Sequence, residues 1–179
     1  VSAAGPSLSL QSNDFELFGL PERFAQDRAP IDARWKELQR EAHPDKFAGQ
    51  GAAAQRVALQ WSVRINEAYK RLKDPLQRAS YLCELRGAPI NAENNTAMPA
   101  DFLMEQMAWR EELDEARTET QLDALDAQLK QARDERLHRI EALLDREGDA
   151  AAAAQQVRAL MFIERFGQDV QSRFEQLGQ

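Results

Sequence analysis

The chain has 179 residues, of which 43% are hydrophobic and 30% charged, and a net charge of −7. That length and balance suit one medium or two small water-soluble domains, and no apolar run approaches the roughly 20 residues of a membrane-spanning helix. Eight glycines, seven prolines and an abundance of Ala, Leu, Gln, Glu and Arg favour helix, and runs rich in Val, Ile and Thr with alternating polarity are absent, so the predicted class is all-α.

Residues 1–13 are small, polar and uncharged, without the basic flank and apolar centre of a secretory signal or the arginines of a transit peptide. A loose tail on a cytosolic protein is the expectation. A short helix is predicted from Asp14 to Phe18. Asp27 then reads as the N-cap of a helix over 27–42, with Pro30 tolerated in its first turn. Ile31, Trp35, Leu38 and Ala42 recur at helical spacing and give it one apolar face. His43-Pro44-Asp45 ends it, because the residue before a proline is pushed out of the helical region. Gly49 and Gly51 mark a loop. A second long helix over 52–73 follows, with Val57, Trp61, Ile65, Ala68 and Leu72 on one face, and the two should pack antiparallel. Asp74-Pro75 starts a shorter helix to about residue 86, closed by Gly87. Cys83 lies among apolar residues of that helix. A lone cysteine excludes an internal disulfide and a Cys-rich metal site, and it reads as an inert core thiol.

Pro89, Asn91, Asn94 and Asn95 make 88–98 the candidate linker. Beyond it, helices are predicted over 99–117, 119–146 and 149–177, with Gly148-Asp149 between the last two. Three amphipathic helices with short turns predict an antiparallel three-helix bundle. Charge divides in the same place: residues 14–86 carry 13 Lys/Arg against 11 Asp/Glu, and residues 87–179 carry 10 against 19. An acidic second half argues against a nucleic-acid partner along that surface.

The 99–117 helix has two apolar faces. On a wheel of about 100° per residue, Phe102, Trp109, Leu113 and Ala116 share one direction, and Leu103, Met104 and Met107 project to the opposite side, continued by Glu111 and Glu115. One face suffices for a bundle. The second is either a protein-docking patch with a carboxylate rim or a surface that packs on the first domain.

His43-Pro44-Asp45 between two antiparallel helices is the signature of the J-domain, by which DnaJ-type co-chaperones stimulate ATP hydrolysis by DnaK-type chaperones. The stretches Asp14-Phe15-Glu16-Leu17-Phe18-Gly19-Leu20-Pro21, Leu38-Gln39-Arg40-Glu41-Ala42-His43-Pro44-Asp45-Lys46-Phe47, Phe102-Leu103-Met104-Glu105-Gln106-Met107 and Arg110-Glu111-Glu112-Leu113-Asp114 together resemble the bacterial HscB family, from about residue 14 to the end. The resemblance implies a J-domain hairpin over 14–87 and a scaffold-binding bundle over 99–179. It implies two partners, the DnaK-type chaperone HscA and the iron–sulfur scaffold protein IscU. Residues matching the family's scaffold contacts are Leu103, Met104, Met107, Glu111, Glu115 and Phe162, and one usually acidic position is Ala108 here. The cysteine-rich zinc module that eukaryotic relatives often add has no counterpart in this sequence, which fits a bacterial form.

On the hairpin, Arg34, Lys36 and Arg40 lie on or near the polar side of the 27–42 helix, leading to His43 and Lys46, and can steer an acidic partner. Asp45 can accept charge-assisted hydrogen bonds from a partner arginine. The site residues expected to meet the chaperone are therefore Arg34, Lys36, Arg40, His43, Pro44, Asp45 and Lys46. Catalysis by His43 and Asp45 would need a further nucleophile or base, and none stands near them; His138, the other histidine, lies in a charged stretch. No cofactor, metal or iron–sulfur cluster bound by this chain is expected, since cluster ligation uses several thiolates. A monomeric co-chaperone in the bacterial cytoplasm is the resulting expectation, with a general J-protein delivering unfolded clients as the alternative.

Overall fold

The computed structural model describes residues 8–179; the first seven residues of the expected tail lie outside the described residues. Seven α-helices run through it: α1 (Asp14–Phe18), α2 (Arg28–Ala42), α3 (Ala52–Lys73), α4 (Pro75–Leu85), α5 (Phe102–Glu115), α6 (Glu119–Glu141) and α7 (Ala150–Leu177). There is no strand among the described residues, as the composition predicted. The helices form two compact units, the first ending at Arg78 and the second running from Ala79 to Gln179.

In the first unit, α1 is five residues long and depends on its caps. The Asn13 side chain accepts from the Glu16 amide at 2.8 Å, the Glu16 carboxylate accepts from the Asn13 amide at 3.5 Å, and Gly19 takes the left-handed conformation (φ +63°) that closes the helix. Phe15, Leu17 and Phe18 are buried, and so is the Asp14 carboxylate. Two arginines of α3 neutralise it: Arg71 donates to both oxygens, at 2.6 and 2.9 Å, and Arg64 approaches to 2.8 Å. Arg64 also donates to the carbonyls of Leu10 and Ser12. The part of the expected loose tail that is described, residues 8–13, is thus held against α3 by a long-range arginine that local sequence could not reveal.

Helices α2 and α3 pack along Ile31 and Leu38 on one side and Ala58, Ile65, Ala68 and Leu72 on the other. Trp35 stacks on Tyr69 at 4.7 Å, and its indole donates to Asn66 at 3.0 Å. Val57, expected in the buried stripe, is exposed, and Ala58 takes the inward place. Val57 instead borders an open groove with Phe47 and Trp61, walled by Leu38 and Ala42 from the end of α2. Arg78 closes the unit by donating to the carbonyls of Phe24 and Leu72.

The second unit begins within α4, where Ala79, Leu82 and Cys83 are buried. Burial pushes the Cys83 thiol up to about 11, which keeps it protonated and unreactive at neutral pH. Gly87 (φ +80°) ends α4. The stretch 88–98, read as a linker from its Pro and Asn residues, is fastened to α7: the buried Arg158 donates to the carbonyls of Ile90 and Ala97, both at 3.0 Å, and of Pro89 at 3.5 Å. Helix α5 is shorter than its predicted span, because Pro99 forms only a turn with Phe102 and Ala116 is already extended.

Helix α6 starts at a Thr118–Gln121 capping box and turns Leu122, Leu125, Leu129 and Ile140 inward. Its predicted continuation to 146 is π-helical over Ala142–Glu147. Leu143 and Leu144 are both buried in this segment, and Arg86 donates to the Leu144 carbonyl. Gly148 (φ +67°) and the Asp149 cap then reverse the chain into α7, which packs along α6. Arg158→Met should lower the unfolding free energy by about 2–4 kcal/mol in urea denaturation, because three loop carbonyls lose a charged donor.

Candidate functional site

Two surfaces carry the residues singled out by sequence. The first is the turn between α2 and α3. His43 has φ −62° and ψ 130°, the extended geometry its following proline requires, and Pro44 opens the 3₁₀ turn Pro44–Phe47. The Asp45 amide donates to His43 Nδ1 at 3.2 Å and the Lys46 amide to the His43 carbonyl at 3.0 Å. The Asp45 carboxylate approaches the same ring nitrogen to 3.7 Å. The Asp45 side chain is 93% exposed. The local bonds therefore orient the imidazole and leave the carboxylate in solvent, free to accept from a partner.

Lys36 and Arg40 are exposed and one turn apart on α2, and Lys46 is exposed in the turn itself. Arg34 differs from them: it is half-buried and its guanidinium is engaged by Glu37 at 3.0 Å. Near the start of α2, Arg28 and then Tyr69 donate to Asp32 and hold its carboxyl below the usual range. The cationic face is thus narrower than the sequence suggested, with Lys36, Arg40 and Lys46 as its free charges.

The second surface is built on α5, whose rotation is set by rings. Phe102 meets Trp109 edge-on at 5.7 Å and Phe162 edge-on at 5.6 Å, and Phe166 stacks on both Phe162 and Trp109. The Arg136 guanidinium lies over the Phe102 ring at 4.8 Å. With that face buried, Leu103, Met104 and Met107 point outward at 60%, 71% and 59% exposure. Glu111 and Glu115 are exposed on the same helix, as is Ala108. Phe162 is half-buried, packed against the aromatic core with Phe102 and Phe166.

Sequence reasoning missed the cations beside it. The Arg110 guanidinium covers Phe162 at 5.5 Å, and Arg110 and Arg165 line a small cavity with Phe162, Phe166, Gln168 and Asp169. The available signal was spacing: Arg110 follows Met107 by three residues, and Phe162 precedes Phe166 by four. His138 is exposed, and among the described residues no group of three or more His, Cys, Asp or Glu could hold a metal ion. No helix among them is long and apolar enough to cross a membrane.

The family model described as the HSCB C-terminal oligomerisation domain matches residues 98–171. The co-chaperone protein HscB homolog of Burkholderia multivorans is 51% identical over 173 residues, covering 95% of this chain and 98% of the relative. The homolog of Burkholderia vietnamiensis matches at the same identity and coverage. Among solved structures, chaperone HscB from Vibrio cholerae aligns with a TM-score of 0.79 at 37% identity, covering 93% of this chain and 99% of that one. The human co-chaperone HscB has a TM-score of 0.85 over 96% of this chain and 87% of its own, and at 24% identity it speaks for the fold alone.

A helical hairpin with His-Pro-Asp at its turn, followed by a helical bundle, defines a co-chaperone of the J-domain class. The identity of the relatives extends through both units. The chain belongs to the HscB co-chaperone family.

The exposures separate stability from surface chemistry. Phe102→Ala should destabilise the protein by about 3–5 kcal/mol in denaturant titration, whereas Met104→Ala should stay within about 0.5 kcal/mol of the parent.

Proposed function

We propose that the chain binds the iron–sulfur scaffold protein IscU through the Leu103, Met104 and Met107 face of α5. It delivers that scaffold to the DnaK-type chaperone HscA and stimulates the chaperone's ATPase through the α2–α3 turn. The observation that carries the reading is the exposure of three contiguous apolar side chains on a helix whose other face is fully committed to the core. Monomeric soluble proteins rarely leave such a patch uncovered without a partner for it. Glu111 and Glu115 continue it along the helix, and Phe162 is the further expected contact, half-buried on α7. A compact patch with a charged rim suits one folded partner better than a variety of unfolded clients.

On the chaperone side, Lys36, Arg40 and Lys46 steer the approach of an acidic surface, His43 and Pro44 fix the turn, and Asp45 supplies an acceptor to a partner group. Arg34 contributes through Glu37 rather than as a free charge. The chain performs no chemistry in this scheme; the hydrolysed bond and its catalytic groups belong to the chaperone. The setting is the bacterial cytoplasm, and the working unit is one co-chaperone chain.

Asp45→Asn should abolish stimulation of the HscA ATPase while leaving the helical circular dichroism spectrum and the scaffold affinity intact; stimulation at the parent level would overturn the role of the turn. Replacing Met104 and Met107 together by Ala should weaken IscU binding by at least about 2 kcal/mol in calorimetric titration, with no matching loss of stability. Unchanged affinity would overturn the docking face.

A further inference from the structure

The methionines of this chain occupy opposite environments. Met104 and Met107 stand one turn apart on α5 with 71% and 59% of their surface exposed. The polar side chains between them do not shield them. Glu105 turns to Arg136 at 3.6 Å, and Gln106 reaches back to donate to the sulfur of Met98 at 3.4 Å. That hydrogen bond occupies a lone pair of Met98, which is half-buried against the aromatic core, and Met161 is half-buried on α7. The chain therefore pairs two open thioethers with two covered ones, and the open pair forms most of the apolar docking face.

From this juxtaposition we infer that Met104 and Met107 are a reversible oxidation site through which peroxide blocks docking of the scaffold partner. The inference rests on the docking reading above. The oxidant is hydrogen peroxide. A thioether lone pair attacks one peroxide oxygen, the S–O bond forms as the O–O bond breaks, and the other oxygen leaves as water after taking up the proton that the transferred oxygen carried. The sulfur loses two electrons and the peroxide gains them. Each sulfoxide replaces a polarisable apolar side chain with a strong dipole and a hydrogen-bond acceptor that a dry interface cannot satisfy. The core is spared, because the oxidised side chains stand in solvent and the covered sulfurs are less accessible. Methionine sulfoxide reductases, with a thiol as electron source, reverse the change. A co-chaperone that feeds iron–sulfur assembly would then stop loading its scaffold when peroxide is present.

The test treats the full chain with hydrogen peroxide, maps sulfoxides by peptide mass spectrometry, and measures binding to purified IscU and helical circular dichroism on the same samples. Met104 and Met107 should oxidise at least about fivefold faster than Met98, IscU affinity should fall at least about tenfold with the helical signal unchanged, and treatment with both sulfoxide reductases should restore it. In the Met104→Leu, Met107→Leu protein, treated and untreated samples should bind alike. Equal oxidation of Met98, undiminished binding by protein carrying both sulfoxides, loss of helicity on oxidation, or loss of binding that the reductases do not restore would each overturn the inference. If untreated protein fails to bind IscU, the docking reading itself falls, and this inference with it.

Discussion

The rotation of α5 is the constraint on which the second unit depends. A helix at the edge of a bundle can bury only one of its faces, and here the choice is made by rings. Phe102 is trapped between Trp109 and Phe162, with Phe166 stacked behind them and Arg136 over its face. Aromatic pairs in such geometry are worth about 0.5–1.5 kcal/mol each beyond the area they bury, so turning α5 by half a revolution would forfeit several of them at once. The exposure of Leu103, Met104 and Met107 follows from that lock.

Arginines do a comparable service for the loops. Arg64 and Arg71 enclose the Asp14 carboxylate, Arg78 binds two carbonyls of its own unit, and Arg158 gathers the carbonyls of Pro89, Ile90 and Ala97. A planar guanidinium with five donors can satisfy several backbone acceptors that would otherwise be buried without partners. Irregular segments thereby acquire fixed paths without adding apolar residues. The proposed docking faces carry a different kind of charge: Lys36, Arg40, Lys46, Glu111 and Glu115 stand in solvent.

What was legible in the sequence was local in origin. Pro44 stops α2, Gly87 and Gly148 supply left-handed turns, and the opposed faces of α5 emerge from residue spacing alone. The inward Cys83 could be read from its neighbours. The unread features are set by residues far apart in the chain. Arg64 reaches back more than fifty positions to hold 8–13, and Arg158 reaches back more than sixty to hold 88–98. The π-helical end of α6 and the exposure of Val57 depend on what stands opposite them, which no periodicity encodes. In the exposed face of α5, spacing found Leu103, Met104 and Met107, but the Arg110 cover on Phe162 needed α5 and α7 side by side.

The fastening of 88–98 bears on how such chains recombine. The family model for the second half matches from residue 98, yet the compact unit begins at Ala79. A gene fusion joined at 98 would leave Arg158 without its carbonyls and strip Leu82, Cys83 and Ile90 from the unit's interior. Crossovers near Arg78 would carry these residues along intact. The exchangeable module is thus some twenty residues longer than the stretch the family model matches, and those extra residues are part of its architecture.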